Sequence, residues 1–373
     1  MKIIHVISSL DRGGAERVLF NICVTDKHNE HIVISLTSLG HYGQLLKKKN
    51  FTVYVCNMRS KIYMFLSFLN LIRILKKQKP DLVQTWLYHG DFFGGIAAKI
   101  AGIRKIVWNI RNTSLNLKKN KWTTITIVKI LAKLSWWVPQ LIIICAKSAI
   151  ASHVLLGYNQ KKMCLIHNGY DLSFFKKTKN KNFFMHKLFN INPKIPLIGT
   201  VARFNFQKDH ENLFKALALL KKKKIEFYSV LVGHDMDQTN IKLVSLIKKY
   251  KITDSVKLLG LRDDIPNIMN EIDVHVLSSS TEGFPNVVAE AMACGTPCIV
   301  TDVGESAFIV GNTGWVVPPK RPELLSNSIN EAILHLKTNQ WKLRISQAKS
   351  RIKENFNINN TVKSYRKIWN QIR

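Results

Sequence analysis

The sequence predicts an α/β protein of two domains, each built around a parallel sheet. Three observations carry this. Short apolar runs alternate with stretches of helical periodicity along nearly the whole chain, the pattern of repeated βαβ units. Glycines and prolines fall between them, where a strand must turn into a helix or a helix must stop. A length of 373 residues exceeds what one hydrophobic core normally serves, and each half is long enough to bury its own.

The elements follow in order. Residues 2–8 read as a strand, Asp11-Arg12-Gly13-Gly14 as a tight loop and residues 15–24 as a helix. Glycines at such a turn let the backbone approach a ligand and leave N–H groups for a phosphate, although any tight βα turn uses them too. Residues 31–37 and 51–56 are strands, and residues 62–77 an amphipathic surface helix ended by Pro80. Strands at 81–85 and 105–110 flank a helix at 94–101, and Arg111 follows the second of them. Pro139 closes residues 117–138, and a strand at 141–146, a helix at 149–156 and a last strand at 163–166 complete the first domain, residues 1–171.

Residues 172–196 are rich in Lys and Asn, hold one short apolar helix at 183–189, and lead into the second domain, residues 172–355. Its first strand, 197–202, ends at Arg203, with Lys208 just beyond and a helix at 209–220. A planar fork and a point charge at a strand-to-helix loop suit a diphosphate, but such pairs are also common in surface loops. Strands at 227–232 and 256–260 and helices at 242–250 and 264–270 lead to an apolar run at 272–277. Helices at 322–336, 340–355 and 361–372 close the chain.

Between these lies the most informative stretch, residues 278–302, SSSTEGFPNVVAEAMACGTPCIVTD. It reads as a polar loop, a short helix at 287–294 with Asn286 as N-cap, Gly295 in a left-handed helix stop, and a new strand. The loop and helix start lie at the carboxyl end of a strand, where open α/β sheets bind ligands. A diphosphate there would meet backbone N–H groups of Phe284, Asn286 and Val287 and the positive end of the helix dipole, while Pro285 has none to offer. Glu290 suits a ribose diol and Glu282 a sugar's hydroxyls. The plainer reading makes Glu282 a solvated loop residue and Glu290 a helix-surface charge.

Glu282-x7-Glu290 followed by Ala-Met-Ala-Cys-Gly-Thr-Pro, then Gly304-Glu305 and Gly314-Trp315-Val316-Val317-Pro318, resembles the signature of the retaining glycosyltransferase family 4. The resemblance covers nearly the whole chain and extends to Gly-Gly-Ala-Glu-Arg near the start and His167-Asn168-Gly169-Tyr170-Asp171 at the domain junction. It implies the GT-B fold, two Rossmann-like domains with parallel sheets facing across a cleft. The C-terminal helix, 356–373, would then pack back on the first domain. Gly13 and Gly14 are expected to face the donor diphosphate, which Arg203 and Lys208 hold, and the backbone at Leu261 and Arg262 to meet the base. With Gly283, Phe284, Asn286, Val287 and Glu290, these form the donor site; Arg203, Lys208 and Glu282 carry the chemistry. His89, Asp91 and Arg111 are the acceptor-side candidates, although a hydrogen-bonded turn and an N-cap explain His89 and Asp91 equally well. Many members carry a His where this chain has Arg111; Arg cannot act as a base but can bind a phosphate or carboxylate.

The expected function is transfer of a sugar from a UDP- or GDP-sugar to a glycan or lipid-linked acceptor with retention, in bacterial capsule, O-antigen or lipopolysaccharide assembly. Domain motion would close the cleft, and no metal or other cofactor is expected. Alternatives are a GT-B nucleotide-sugar epimerase and a non-catalytic basic membrane-binding protein. The net charge of +32 fits a partner rich in negative charge, and equally a solvated Lys-rich surface. No dense Arg–aromatic pattern points to nucleic acid. Residues 117–138 place Lys118, Lys119 and Lys121 before Trp122, apolar positions at helical spacing, Lys129 and Lys133 on another face, and Trp136-Trp137 at the end. That suits a helix in an anionic membrane interface, or one packed on its own domain. The six cysteines lack ligand spacing and read as buried thiols in a reducing compartment. No transmembrane span or cleavable leader is read, so the expected location is cytoplasmic, peripheral at the inner face of the plasma membrane.

Overall fold

The computed structural model describes residues 1–58, 63–111, 122–178 and 183–372. The chain divides into two compact units, Met1–Gly169 with Ile358–Arg373 and Tyr170–Asn357. The expected residues Lys118, Lys119 and Lys121, and the start of the helix read at 62–77, lie outside the described residues.

In the first unit, strands β1 (Lys2–Ile7), β2 (Glu30–Ser35), β3 (Thr52–Val55), β4 (Leu82–Trp86), β5 (Ile106–Ile110), β6 (Leu141–Ile144) and β7 (Met163–Leu165) form one sheet. Their order is β3-β2-β1-β4-β5-β6-β7, with every pairing parallel. The strands are rich in Ile and Val, and the middle ones are buried along their whole length, as a sheet covered on both faces requires. The chain order reverses between β1 and β4, the switch point at which the strand-to-helix turns diverge.

The last helix, Ile358–Gln371, belongs to this unit and packs on the Gly14–Thr25 helix. Its buried stripe of Ile358, Val362, Tyr365 and Trp369 joins the core formed by Ile3, Leu19, Ile22, Leu82 and Trp86. Two buried polar residues of the sheet each find one partner on it. Trp369 Nε1 donates to Gln84 Oε1 at 2.6 Å, and Asn109 Nδ2 donates to the Tyr365 hydroxyl at 2.8 Å. The Tyr365 ring also stacks on Trp86, with centroids 6.3 Å apart.

Beneath this helix runs a buried polar chain. Trp86 Nε1 donates to His5 Nδ1 at 3.2 Å. His5 Nε2 lies 2.9 Å from His31 Nδ1, and His31 Nε2 lies 3.2 Å from Asp26 Oδ2. Because the indole can only donate, its bond assigns the proton on His5 to Nε2, and the donations then run onward to the carboxylate. Cys23 lies near enough to the two imidazoles to complete a metal-ligand group, yet both nitrogens of each ring are engaged and burial pushes the thiol far up. All six cysteines are free, and five of them are buried.

The second unit has strands β8 (Leu197–Val201), β9 (Tyr228–Val232), β10 (Val256–Gly260), β11 (Val274–Leu277), β12 (Cys298–Thr301) and β13 (Trp315–Val317). They form a parallel sheet of order β10-β9-β8-β11-β12-β13, with its switch point between β8 and β11. Its core gathers Ile198, Phe214, Leu231, Val276, Ile299 and Ile329.

Several elements differ from the sequence expectation. Helices at Gly40–Lys48 and Ser306–Val310 were not foreseen. The segment after β4 is helical from Leu87 onward, passing through a π-turn at Gly90–Gly94 into Gly95–Ile100. Asp91 therefore lies inside a helical run and is not an N-cap. The helix in the central stretch starts at Asn286 with Pro285 at the cap, so Asn286 is its first turn and not its N-cap. The Trp122–Leu134 helix buries Val128, Leu131 and Ala132 against its own unit, while Trp122 stays 76% exposed and Trp137, beyond its end, 73%.

Two outcomes follow for stability. Trp369→Ala should cost about 3–5 kcal/mol in denaturant unfolding, through a large cavity and a lost hydrogen bond, against less than about 0.5 kcal/mol for the exposed Trp137→Ala. The second concerns pH. Burial and the neighbouring His31 hold His5 well below its ordinary 6.5. Below that pH the unfolded chain takes up a proton that the folded chain refuses, so stability falls as pH falls, by up to about 1.4 kcal/mol per unit. His5→Gln, which keeps one donor and one acceptor, should flatten the profile between pH 6.5 and 5 by that slope.

Candidate active site

At the carboxyl edge of the second sheet, four strand-ending loops present the charged residues singled out above. Arg203 follows β8, is exposed, and makes no side-chain hydrogen bond or ion pair with the described residues. A short helical turn, Phe206–Lys208, follows, capped by Asn205, whose side chain accepts from the Lys208 amide. Asp209 then caps the His210–Lys222 helix from a left-handed conformation, φ 45°, which a side-chain-bearing residue adopts only at a cost.

Lys208 reaches across to the loop after β11. Its Nζ lies 2.6 Å from Glu282 Oε1, and both side chains are largely shielded from solvent. Ser279 Oγ donates to the same oxygen at 2.5 Å. Glu282 is thus held in place by a cation and a hydroxyl, and is not a solvated loop residue. The Ser278 hydroxyl donates to the carbonyls of Lys208 and Asp209, which ties the two loops together again. Lys208 also acts on two buried histidines. Burial first, and then this charge, press His210 and His275 down to about 3, so both stay neutral at physiological pH.

The backbone of Glu282 and Gly283 is buttressed from behind. The Glu305 amide donates to the Gly283 carbonyl at 2.9 Å. Gly304 sits at φ 58°, and a Cβ there would come within 2.4 Å of the Glu282 carbonyl oxygen. Only glycine lets the two loops approach this closely. Phe284 is buried against Phe356, with ring centroids 5.7 Å apart.

The helix Asn286–Ala293 starts here, and the N–H groups of its first turn have no earlier helical carbonyl to bind. The Tyr170 hydroxyl donates to Asn286 Oδ1 at 2.8 Å. Glu290, one turn in, is only 1% exposed, so it is not a helix-surface charge. On the far side of the sheet edge, Leu261 is exposed after β10, and Arg262 is fixed by a bidentate pair with Asp264 at 2.8 and 2.9 Å.

In the first unit, Gly13 precedes the Gly14–Thr25 helix in extended backbone, and Gly14 is that helix's first residue. A Cβ on Gly13 would meet the Glu16 carboxylate at 2.2 Å. Leu87, straight after β4, sits at φ 67°, a strained conformation that aims the following helical segment. His89 is partly buried in that segment, and burial lowers its pKa. Asp91 is 1% exposed, and its Oδ1 accepts from Thr85 Oγ1 at 2.5 Å. Burial raises its carboxyl to about 7 despite that bond. Arg111, at the end of β5, donates from Nη1 to Asn168 Oδ1 at 2.8 Å and lies over the Trp86 ring at 5.1 Å. Its planar group is oriented by an amide and an aromatic face and carries no carboxylate partner among the described residues.

Sequence reasoning missed Ser279 and the Tyr170 hydroxyl. The former is one of three consecutive serines, and the latter approaches Asn286 from 116 residues away.

Comparison with known proteins places this geometry. Residues 12–174 match the Glycosyltransferase Family 4 family, and residues 182–349 match Glycosyl transferases group 1. The UDP-Gal:alpha-D-GlcNAc-diphosphoundecaprenol alpha-1,3-galactosyltransferase of Escherichia coli is 28% identical over 70% of this chain and 68% of its own. The N,N'-diacetylbacillosaminyl-diphospho-undecaprenol alpha-1,3-N-acetylgalactosaminyltransferase of Campylobacter jejuni is 26% identical over 98% of both. The crystal structure of Anabaena HepE in complex with UDP and glucose superposes with a TM-score of 0.87 over 100% of both chains, at 21% identity. The chain belongs to the glycosyltransferases of the GT-B fold, with a Glycosyltransferase Family 4 domain followed by a group 1 domain.

Proposed function

We propose that this glycosyltransferase moves a sugar from a UDP- or GDP-sugar to a lipid-linked glycan, with retention at the anomeric carbon, during assembly of a bacterial surface polysaccharide. The observation that carries the reading is the pairing of Lys208 with Glu282 beside Arg203, which has no ion pair among the described residues, and a helix start with no side-chain cap at Pro285. Breaking the glycosyl–phosphate bond puts positive charge on the sugar ring and negative charge on the leaving diphosphate. Arg203, Lys208 and the first turn of Asn286–Ala293 would take the negative charge, and cations already in place need no reorganisation at that moment.

The ion pair gives the proposal a sequence of events. A diphosphate arriving at Lys208 competes with Glu282 for the ammonium, and Ser279 keeps the released carboxylate in position. Glu282 then faces the sugar's hydroxyls, while Glu290 takes the ribose. Gly13 and Gly14 would contribute backbone N–H groups to the diphosphate, and Leu261 and Arg262 would meet the base. Because the chain supplies these cations itself, the reaction as proposed uses no divalent metal. His89, Asp91 and Arg111 remain the acceptor-side residues. Arg111 suits a phosphate of a lipid-linked diphosphate, and such acceptors appear in the names of the E. coli and C. jejuni relatives.

Calorimetric titration with UDP and GDP in EDTA tests the site. One nucleotide should bind, and Glu290→Ala should weaken it at least about tenfold, the value of roughly one lost hydrogen bond to a charged group. Arg203→Ala should instead lower kcat on the order of 100-fold, or roughly 3 kcal/mol, with release of nucleoside diphosphate as the readout. Unchanged affinity and rate in both variants would remove the assignment.

The same reading places the enzyme at the inner face of a membrane. No helix among the described residues is long and apolar enough to cross one. Trp122, Ile130, Trp136 and Trp137 are exposed along and just beyond one helix that also carries Lys129 and Lys133. Aromatic side chains beside lysines suit the headgroup layer of an anionic leaflet. Flotation with phosphatidylglycerol vesicles should carry the protein upward at low salt, and Trp136→Ser/Trp137→Ser should leave most of it at the bottom. Equal flotation of the two would count against this surface.

A further inference from the structure

The second unit holds a groove of about 500 Å³ away from the loops described above. One wall is the segment that carries Leu172 and Phe175, and the other is the Asn339–Asn355 helix. Five lysines line it, Lys176 and Lys177 from the first wall and Lys342, Lys349 and Lys353 from the second. Ser346 and Ser350 lie between the helical lysines, and positions 342, 346, 349, 350 and 353 share one face of a helix. Among the described residues no Asp or Glu lines the groove.

This concentration is not what the composition alone produces. Lys makes up 5 of the 11 lining residues, about three times the share that the 56 Lys and Arg have in the 373-residue chain. Lys176, Lys342, Lys349 and Lys353 are exposed and form no ion pair with the described residues. Elsewhere on the same unit lysines do pair, as Lys221 does with Asp254 and Lys249 with Glu211.

Two of the lysine stems also come near one backbone position: a Cβ on Gly295 would lie 2.9 Å from Lys177 Cδ and 3.4 Å from Lys349 Cδ. Gly295 follows the carboxyl end of the Asn286–Ala293 helix, whose dipole favours a cation. That accounts for Lys177 and Lys349. It leaves Lys176, Lys342 and Lys353, which have no Asp or Glu beside them in the described lining.

We propose that this groove binds a multiply charged phosphate anion, at a site separate from the donor site. Ammonium groups on flexible stems are point charges that adapt to several phosphates, whereas planar recognition of one group favours Arg. The two serine hydroxyls would donate to phosphate oxygens between the lysines. Lys342 and Lys353 are separated by about 16 Å of helix, room for more than one phosphate. Leu172, Phe175 and Ile345 give the groove an apolar floor on which an alkyl chain next to a phosphate can rest. The ligand chemistry is shared by a soluble oligophosphate and by a row of phospholipid headgroups.

The test uses the full-length protein and two probes. Inorganic tripolyphosphate is titrated calorimetrically into wild type, Lys349→Gln/Lys353→Gln and Arg203→Ala. Loss of at least about tenfold in affinity in the double variant, with Arg203→Ala close to wild type, assigns the groove to a soluble oligophosphate. Vesicles with and without phosphatidylglycerol form the second arm. If only flotation on the anionic vesicles falls in the double variant, and tripolyphosphate does not bind, headgroups are the ligand. Thermal melts matching wild type show that the variant is folded, as expected for exposed side chains. If wild type binds neither probe, if the double variant binds both as wild type does, or if tripolyphosphate binding is lost only in Arg203→Ala, the proposal is overturned. That second result would leave the donor site standing, so the two assignments fail separately.

Discussion

Within each sheet every strand runs the same way, and the site depends on that constraint. A parallel sheet needs a crossover after each strand, so all strand-to-helix turns of a unit fall on one edge. In the second unit this brings the ends of β8 and β11 side by side although they are far apart in sequence. Lys208 and Glu282 are 74 residues apart and touch only because β8 and β11 are neighbours at the switch point. The same constraint brings Arg111 over Trp86, since β4 and β5 are parallel neighbours whose carboxyl ends lie on the same edge.

The charges at that edge are not waiting in isolation. A largely shielded ammonium with no counter-charge would be costly, and Glu282 offsets it. Gly304 and the Glu305 amide hold the carboxylate's backbone in place. This arrangement leaves neither charge buried alone. Burial, and after it the same ammonium, keeps the two nearby histidines His210 and His275 neutral.

Much of the fold was legible because buried parallel strands are nearly continuous apolar runs, as in residues 3–7, 141–144 and 298–300. The Gly40–Lys48 helix was not, because two glycines and a polar first turn hide its period. Asp91 and Asn286 were misplaced for one reason. Both residue types favour N-caps, and in both places the helix had already begun or was capped by proline. At the site, residue types and local spacing marked Glu282, Glu290, Arg203 and Lys208. What spacing does not contain is the partner of each: Lys208 for Glu282, Ser279 as its second anchor, and Tyr170 for Asn286. The first and last of these are long-range contacts, while the Ser279 bond, only three residues from Glu282, depends on how the loop bends.

The C-terminal helix has a consequence for how the molecule is made. A ribosome delivers the second unit entirely between the two pieces of the first, because residues 170–357 separate β7 from Ile358–Gln371. Domains generally fold in order of emergence. Here the earlier one emerges with Gln84 and Asn109 lacking their partners and the core around Ile3 and Leu19 uncovered on one side. It stays incomplete for the length of a whole domain of synthesis, so the second unit can finish folding before the first does. A nascent chain that stalls before Trp369 carries an open core in its first unit.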